Sequence, residues 1–235
     1  MLQTRRALHE LATLLVPVNC PGCGQLDTKW CDACASAFGQ PRRVEHTIAR
    51  LDRLDGVPPL PVWVIADYCG PARELILAWK DRGRADLDVL LASKAKTAAM
   101  SLRMVLEPAG PLLVVPAPSR LSSRCERGRD HLLTAARATA SGLGAQMTPL
   151  LIKRGRDQKG LDRRARGAVG VKVQMRMLAR ACARSAASNP LRVLLFDDVV
   201  TTGATLAAAE SALFVHGVEV VGALVLAATP APRAK

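Results

Sequence analysis

Two groups of residues in this chain carry chemistry by type and spacing. The first is the run Cys20-x2-Cys23-x7-Cys31-x2-Cys34. Each Cys-x2-Cys turn aims two sulfurs at one centre, and the short intervening loop closes a tetrahedral thiolate site whose expected ion is zinc. Gly22 and Gly24 give the first turn the backbone freedom such knuckles use. Four thiolates leave no open coordination position, so the expected role is structural. An iron-sulfur cluster is open to the same ligands, and two disulfides are disfavoured in an unexported chain. Cys69, Cys125 and Cys182 lack partners at ligand spacing and read as small packing residues.

The second group is Val193 to Thr205, in which an apolar strand ends in Asp197 and Asp198 and a loop of small residues, Thr201, Thr202, Gly203, Ala204 and Thr205, opens a helix. Ligands of open α/β sheets sit at the carboxyl ends of strands, and a helix start offers unpaired N–H groups to an anion. The loop therefore reads as a phosphate cradle, with Gly203 letting the backbone close on the ligand and the threonines adding hydroxyl donors. Two carboxylates repel a bare phosphate. Their natural partners are sugar hydroxyls or a magnesium ion carried by the ligand. No Gly-Lys-Ser/Thr triplet occurs, which disfavours a P-loop nucleotidase.

The surrounding pattern must position these groups. Strands are expected over 62–68, 112–115, 148–152, 191–196 and 218–227, and helices over 72–80, 85–106, 130–141, 174–186 and 205–216. Alternation of apolar strands with helices predicts an α/β fold, a mostly parallel sheet with helices on both faces. Residues 1–40 read as an amphipathic helix, with Leu8, Leu11, Leu14 and Leu15 on one face, followed by the four-cysteine module; 41–61 reads as a linker and 62–235 as the α/β domain. Gly142-Leu143-Gly144 follows a helix and reads as its C-cap, not as a dinucleotide loop.

The 235 residues carry a formal net charge of +13, with 25 Arg to 8 Lys. Such a balance points to an anionic partner: nucleic acid, a phosphorylated metabolite or an acidic membrane surface. The charge is local, because residues 153–184 hold eleven bases against two acids and the remainder of the chain after 184 is net −1. Arg176, Arg180 and Arg184, spaced by four on a predicted helix, are candidate DNA-backbone contacts or else a solvated face. No aromatic residue lies between Lys80 and Leu195, so stacking platforms for single strands are missing there. No apolar run approaches the roughly 18 residues of a membrane span. His9 and Glu10 interrupt a would-be signal peptide, and the expected location is the cytoplasm.

The segment 193–205 resembles the motif by which type I phosphoribosyltransferases bind 5-phosphoribosyl 1-pyrophosphate (PRPP). Together with the cysteine knuckle, the chain is similar to the ComF (ComFC/GntX) family, which joins a zinc module to a phosphoribosyltransferase-like domain and is associated with DNA uptake. Smaller pieces agree in order: Asp67-Tyr68-Cys69-Gly70 ahead of a helix reaching Lys80, Val115 to Ser119, Arg127-Gly128, and Gln158-x2-Leu161 with Arg166 behind it. The resemblance implies that Asp197 and Asp198 are the catalytic acids on the PRPP ribose hydroxyls. It places the 5′-phosphate on 201–205 and the pyrophosphate on Pro116, Ala117, Pro118, Ser119 and Arg120. It makes Lys80, Arg127, Arg154, Gln158 and Arg166 substrate or phosphate candidates, with magnesium accompanying PRPP. The chain departs from the family after Arg127-Gly128, where Arg129, Asp130 and His131 replace the usual Phe-Asn-Gln, and in lacking a second set of cysteine turns between 35 and 60. His131 reads as a helix cap or surface residue before a catalytic base. Three functions follow: a ComF-type protein that binds PRPP and handles DNA, a phosphoribosyltransferase acting on a nucleobase or amine, and a non-catalytic PRPP sensor. Oligomeric state stays open, a homo-oligomer included.

Overall fold

A computed structural model describes residues 18–48, 51, 58–106, 112–118, 130–153, 170–184 and 190–230. Its centre is a six-stranded sheet. In chain order the elements are α1 (Asp32–Ala35), β1 (Arg42–Arg43), β2 (Val62–Asp67), α2 (Gly70–Asp81), α3 (Asp88–Leu106), β3 (Leu112–Pro116), α4 (His131–Leu143), β4 (Gln146–Met147), β5 (Leu151–Lys153), β6 (Val171–Val173), α5 (Met175–Arg184), β7 (Arg192–Val200), α6 (Ala204–Phe214) and β8 (Glu219–Ala228). The sheet order is β1-β2-β8-β7-β3-β4. Only the β1–β2 pair is antiparallel; β2–β8, β8–β7, β7–β3 and β3–β4 all run parallel.

Strand alternation divides the core into two layers. Trp63, Ile65, Val114, Leu194, Phe196, Leu224 and Leu226 face α2, α3 and α4, together with Cys20, Cys34 and Phe38 of the cysteine module. Val62, Val64, Leu113, Val115, Val193, Leu195, Ala223 and Val225 face the other way, onto Leu178 of α5 and Leu206, Ala209 and Leu213 of α6. The expected mostly parallel sheet with helices on both faces is therefore present. It explains why these strands carry no polar alternation: both sides are covered.

Local sequence chemistry sets the helices. Pro71 occupies the first turn of α2, where its missing N–H is no loss, and Leu75, Ile76 and Trp79 bury one stripe. Gly144 caps α4 in the left-handed region at φ 68°, as expected for the C-cap. Small residues bring α3 and α4 together: Ala95, Ala98 and Ala99 meet Ala135, Ala136 and Ala140. A Cβ on Gly142 would stand 2.6 Å from the Lys96 carbonyl oxygen.

Three expectations change. The described residues of 41–61, read as a linker, pack on the α/β domain: β1 pairs with β2, and Val44, Ile48, Leu51 and Leu60 are core residues. Irregularly spaced anchors give no periodicity for a sequence reading to detect. The strand expected over 148–152 begins only at Leu151, as β5, which pairs antiparallel with β6 apart from the main sheet, while β4 at Gln146–Met147 joins the main sheet. Finally, β7 does not stop before the acids. It continues through Asp197 and Asp198 to Val200 because β8 keeps pairing with it, Val199 opposite Ala227 and Val200 opposite Ala228.

Candidate functional site

Three sequence-distant motifs meet at the carboxyl end of β7. Strand β3 runs beside it, Pro116 opposite Phe196, and the Ala117 N–H donates to the Phe196 carbonyl at 2.7 Å. The first residues of the expected pyrophosphate segment, Pro116 to Pro118, thus lie next to the acid pair. From the α2 side, the Lys80 ammonium reaches Asp198 at 2.8 Å on Oδ2 and 3.0 Å on Oδ1. Ser119, Arg120, Arg127, Arg154, Gln158 and Arg166 lie outside the described residues.

The two acids occupy different surroundings. Asp198 is buried and accepts from Lys80, from His131 Nε2 at 3.1 Å and from the Val199 N–H at 2.7 Å. Burial pushes its carboxyl up, but the His131 hydrogen bond and the Lys80 charge outweigh that and hold it at about 2. Burial also pulls the Lys80 ammonium down, and the Asp198 charge more than restores it, leaving its pKa raised. Asp197 is half-buried, and its Oδ1 accepts the Asp198 N–H at 2.8 Å. Burial first, then the negative charge of Asp198, push Asp197 up to about 7. It faces a pocket of ≈ 50 Å³ walled by Val199 to Leu206, which includes Thr201, Thr202, Gly203, Ala204 and Thr205.

His131 is not the cap or surface residue expected. Its side chain is 5% exposed and stands edge-on to Trp79, with ring centroids 4.6 Å apart. A lone histidine at a helix start carries no sequence signal for such a contact. The partner, Asp198, is 67 positions away.

Gly203 also meets a packing constraint that the sequence did not suggest. It sits at φ 76° as the N-cap of α6, and a Cβ there would lie 2.5 Å from Ile48 Cγ2 and 3.1 Å from Leu51 Cγ. The glycine answers a left-handed turn packed on the segment read as a linker. Thr201 and Thr202 are exposed, and Thr205 is half-buried at the start of the helix.

The four cysteine sulfurs lie within 4.8 Å of one another, with Cys20 to Cys31 at 3.8 Å and Cys23 to Cys31 at 3.6 Å. Tetrahedral thiolates at the usual zinc bond length stand about 3.8 Å apart, so the donor set and its spacing fit that ion. Arg84 fastens the module to the α/β body. Its guanidinium donates at 3.0 Å to the carbonyl oxygens of both Asn19 and Lys29, and Asp86 holds it in place at 2.7 Å. Cys69 and Cys182, read as packing residues, are exposed.

Helix α5 turns Leu178 and Ala181 inward and leaves Arg176 and Arg180 exposed. Arg184 ends the helix, and its side chain lies outside the described residues. Among the described residues no helix is long and apolar enough to cross a membrane.

No protein-family model and no curated protein sequence matches the chain. Solved structures similar to it include phosphoribosyltransferases. A hypoxanthine-guanine phosphoribosyltransferase from Bacillus anthracis is 12% identical, with 63% of this chain and 75% of that one covered and a TM-score of 0.41. An adenine phosphoribosyltransferase from Leishmania tarentolae is 13% identical over 71% of this chain and 91% of its own, with a TM-score of 0.38. Another adenine phosphoribosyltransferase is 17% identical over 60% and 71%, with a TM-score of 0.36.

Proposed function

We propose that this chain is a ComF-type, phosphoribosyltransferase-like protein that binds PRPP with magnesium at the carboxyl ends of β3 and β7. One observation carries the reading: Lys80, the Pro116–Pro118 segment and the acid pair with its threonine loop, all singled out separately in the sequence, converge at one end of the sheet. The start of α6 and the hydroxyls of Thr201, Thr202 and Thr205 suit the 5′-phosphate. The acid side suits ribose hydroxyls, and Pro116 to Arg120 suits the pyrophosphate. Magnesium arriving with PRPP would neutralise the pyrophosphate, which is the leaving group if phosphoribose is transferred. The chain's own contribution is to fix the sugar and both phosphate ends so that charge developing at the anomeric carbon meets oriented groups.

In the same reading, the four cysteines hold one structural zinc, and the exposed Arg176 and Arg180 face, with Arg184, contacts the DNA backbone. Calorimetric titration with PRPP and magnesium is the deciding test. Micromolar, magnesium-dependent binding supports the reading and its absence sinks it. Pyrophosphate release across nucleobases and amines then separates a transferase from a binding protein or sensor.

A further inference from the structure

The two adjacent acids differ in their hydrogen-bond partners. A carboxylate has about four acceptor positions. Those of Asp198 are taken: Oδ2 by Lys80 and His131, Oδ1 by Lys80 and the Val199 N–H. A carboxylate carries no proton to give, so His131 Nε2 is the donor. The ring is held from behind by Trp79, whose indole N–H is in turn fixed on Asp88 at 2.5 Å. Asp197, by contrast, spends one oxygen on the Asp198 N–H, and its Oδ2 meets no hydrogen-bond donor among the described residues.

Building on the PRPP reading, we infer that the two acids divide the work: Asp197 is the carboxylate that meets the ligand, Asp198 is an internal counter-ion, and His131 is a positioning residue that sets the orientation of Asp198 and, through it, of Lys80. Once His131 and Val199 each fix one oxygen, the carboxylate plane is defined. The ammonium of Lys80 then has one preferred seat, bridging both oxygens at the edge of the site. Without the imidazole, the carboxylate can rotate and the ammonium can follow it away from the ligand.

Two measurements test this. Imidazole NMR of the ligand-free protein should show a ring N–H proton that exchanges slowly. That resonance should move in Asp198→Asn and stay in Asp197→Asn; the same shift in both variants would overturn the contact. For binding, titration with PRPP and magnesium should find His131→Phe, which keeps the ring against Trp79 but loses the donor, about tenfold weaker than wild type, the size expected for a hydrogen bond to a charged group. His131→Gln, which places an N–H near the Nε2 position, should recover to within about threefold, and Asp197→Asn should lose about a hundredfold, since it alone faces the ligand. If His131→Phe does not fold, His131→Asn, whose donor falls short of Asp198, replaces it. Wild-type affinity in the Phe or Asn variant would overturn the positioning role while leaving PRPP binding intact. No binding by the wild type would overturn PRPP binding itself, and this inference with it.

Discussion

Gly203 rests its α-carbon on Ile48, so closely that a Cβ would stand 2.5 Å from the isoleucine Cγ2. The contact joins the threonine loop to the segment ahead of β2, and it changes how that loop is best tested. Gly203→Val must both strain a φ of 76° and displace Ile48 and Leu51. It is expected to destabilise the protein by about 2–4 kcal/mol, through backbone strain and overpacking. Loss of ligand binding in that variant would report damage to the fold. Thr201→Val and Thr205→Val keep the backbone and remove hydroxyls, and each should weaken PRPP about tenfold with Tm nearly unchanged, as calorimetry and thermal melts would show. Unchanged affinity in both would mean that the threonines only cap the helix.

The acids predict opposite stability effects in the ligand-free protein. Asp197 has a folded pKa raised to about 7, so its contribution to stability is fully present below its unfolded value and is lost as pH rises through about 7. Asp197→Asn removes a disfavoured charge and should raise Tm at pH 8 while impairing binding. Asp198 has a folded pKa lowered to about 2, so its contribution is present at neutral pH and lost as pH falls through about 2. Asp198→Asn strands Lys80 and His131 and should cost about 3 kcal/mol at pH 7. Denaturant melts of the two variants at pH 6 and 8 check both signs, and parallel behaviour would refute the assignment of distinct environments.

The sheet was legible in the sequence because each long strand is a continuous aliphatic run, as in Val193 to Phe196, and its helices show apolar stripes. The site was legible in part. Asp197 to Thr205 is contiguous and declares itself, whereas the His131–Asp198 contact spans 67 positions and leaves no local pattern. The β1 edge strand is two arginines long and its neighbours Val44, Ile48 and Leu51 follow no period, so the sequence suggests a linker. What the sequence hid depends on which surfaces fold back on one another, a tertiary property.

The cysteine module predicts a metal effect that reaches past the module itself. Cys20, Cys34, Ala35 and Phe38 belong to the same buried layer as α2, and Arg84 is held by the module's own carbonyl groups. One zinc per chain is expected by elemental analysis. Cys31→Ser should lose it, expose Phe38 and lower Tm of the whole domain, not merely loosen residues 18–40. Fluorescence and hydrogen exchange across α2 would show the spread. A domain Tm indifferent to chelation would confine the metal's role to the module.

Whether the basic helix binds DNA turns on salt dependence, because neutralised phosphates release counterions. Arg176 and Arg180 are exposed along one side of α5, while Leu178 and Ala181 anchor the other, so replacing both arginines and Arg184 by Ala leaves the packed face intact. Each lost phosphate contact removes about 0.7–0.9 from the slope of log affinity against log salt, so the triple variant should fall by about 2–3. Its PRPP affinity should be unchanged, since α5 lies beyond the residues that wall the Asp197 pocket. Asp197→Asn should do the reverse, weakening PRPP while leaving DNA affinity equal or slightly higher, because one negative charge is gone. Filter binding at several salt concentrations, paired with calorimetry on the same preparations, reads both. A full wild-type slope in the triple variant would make the arginines a solvated face and leave the metabolite site as the function of the chain.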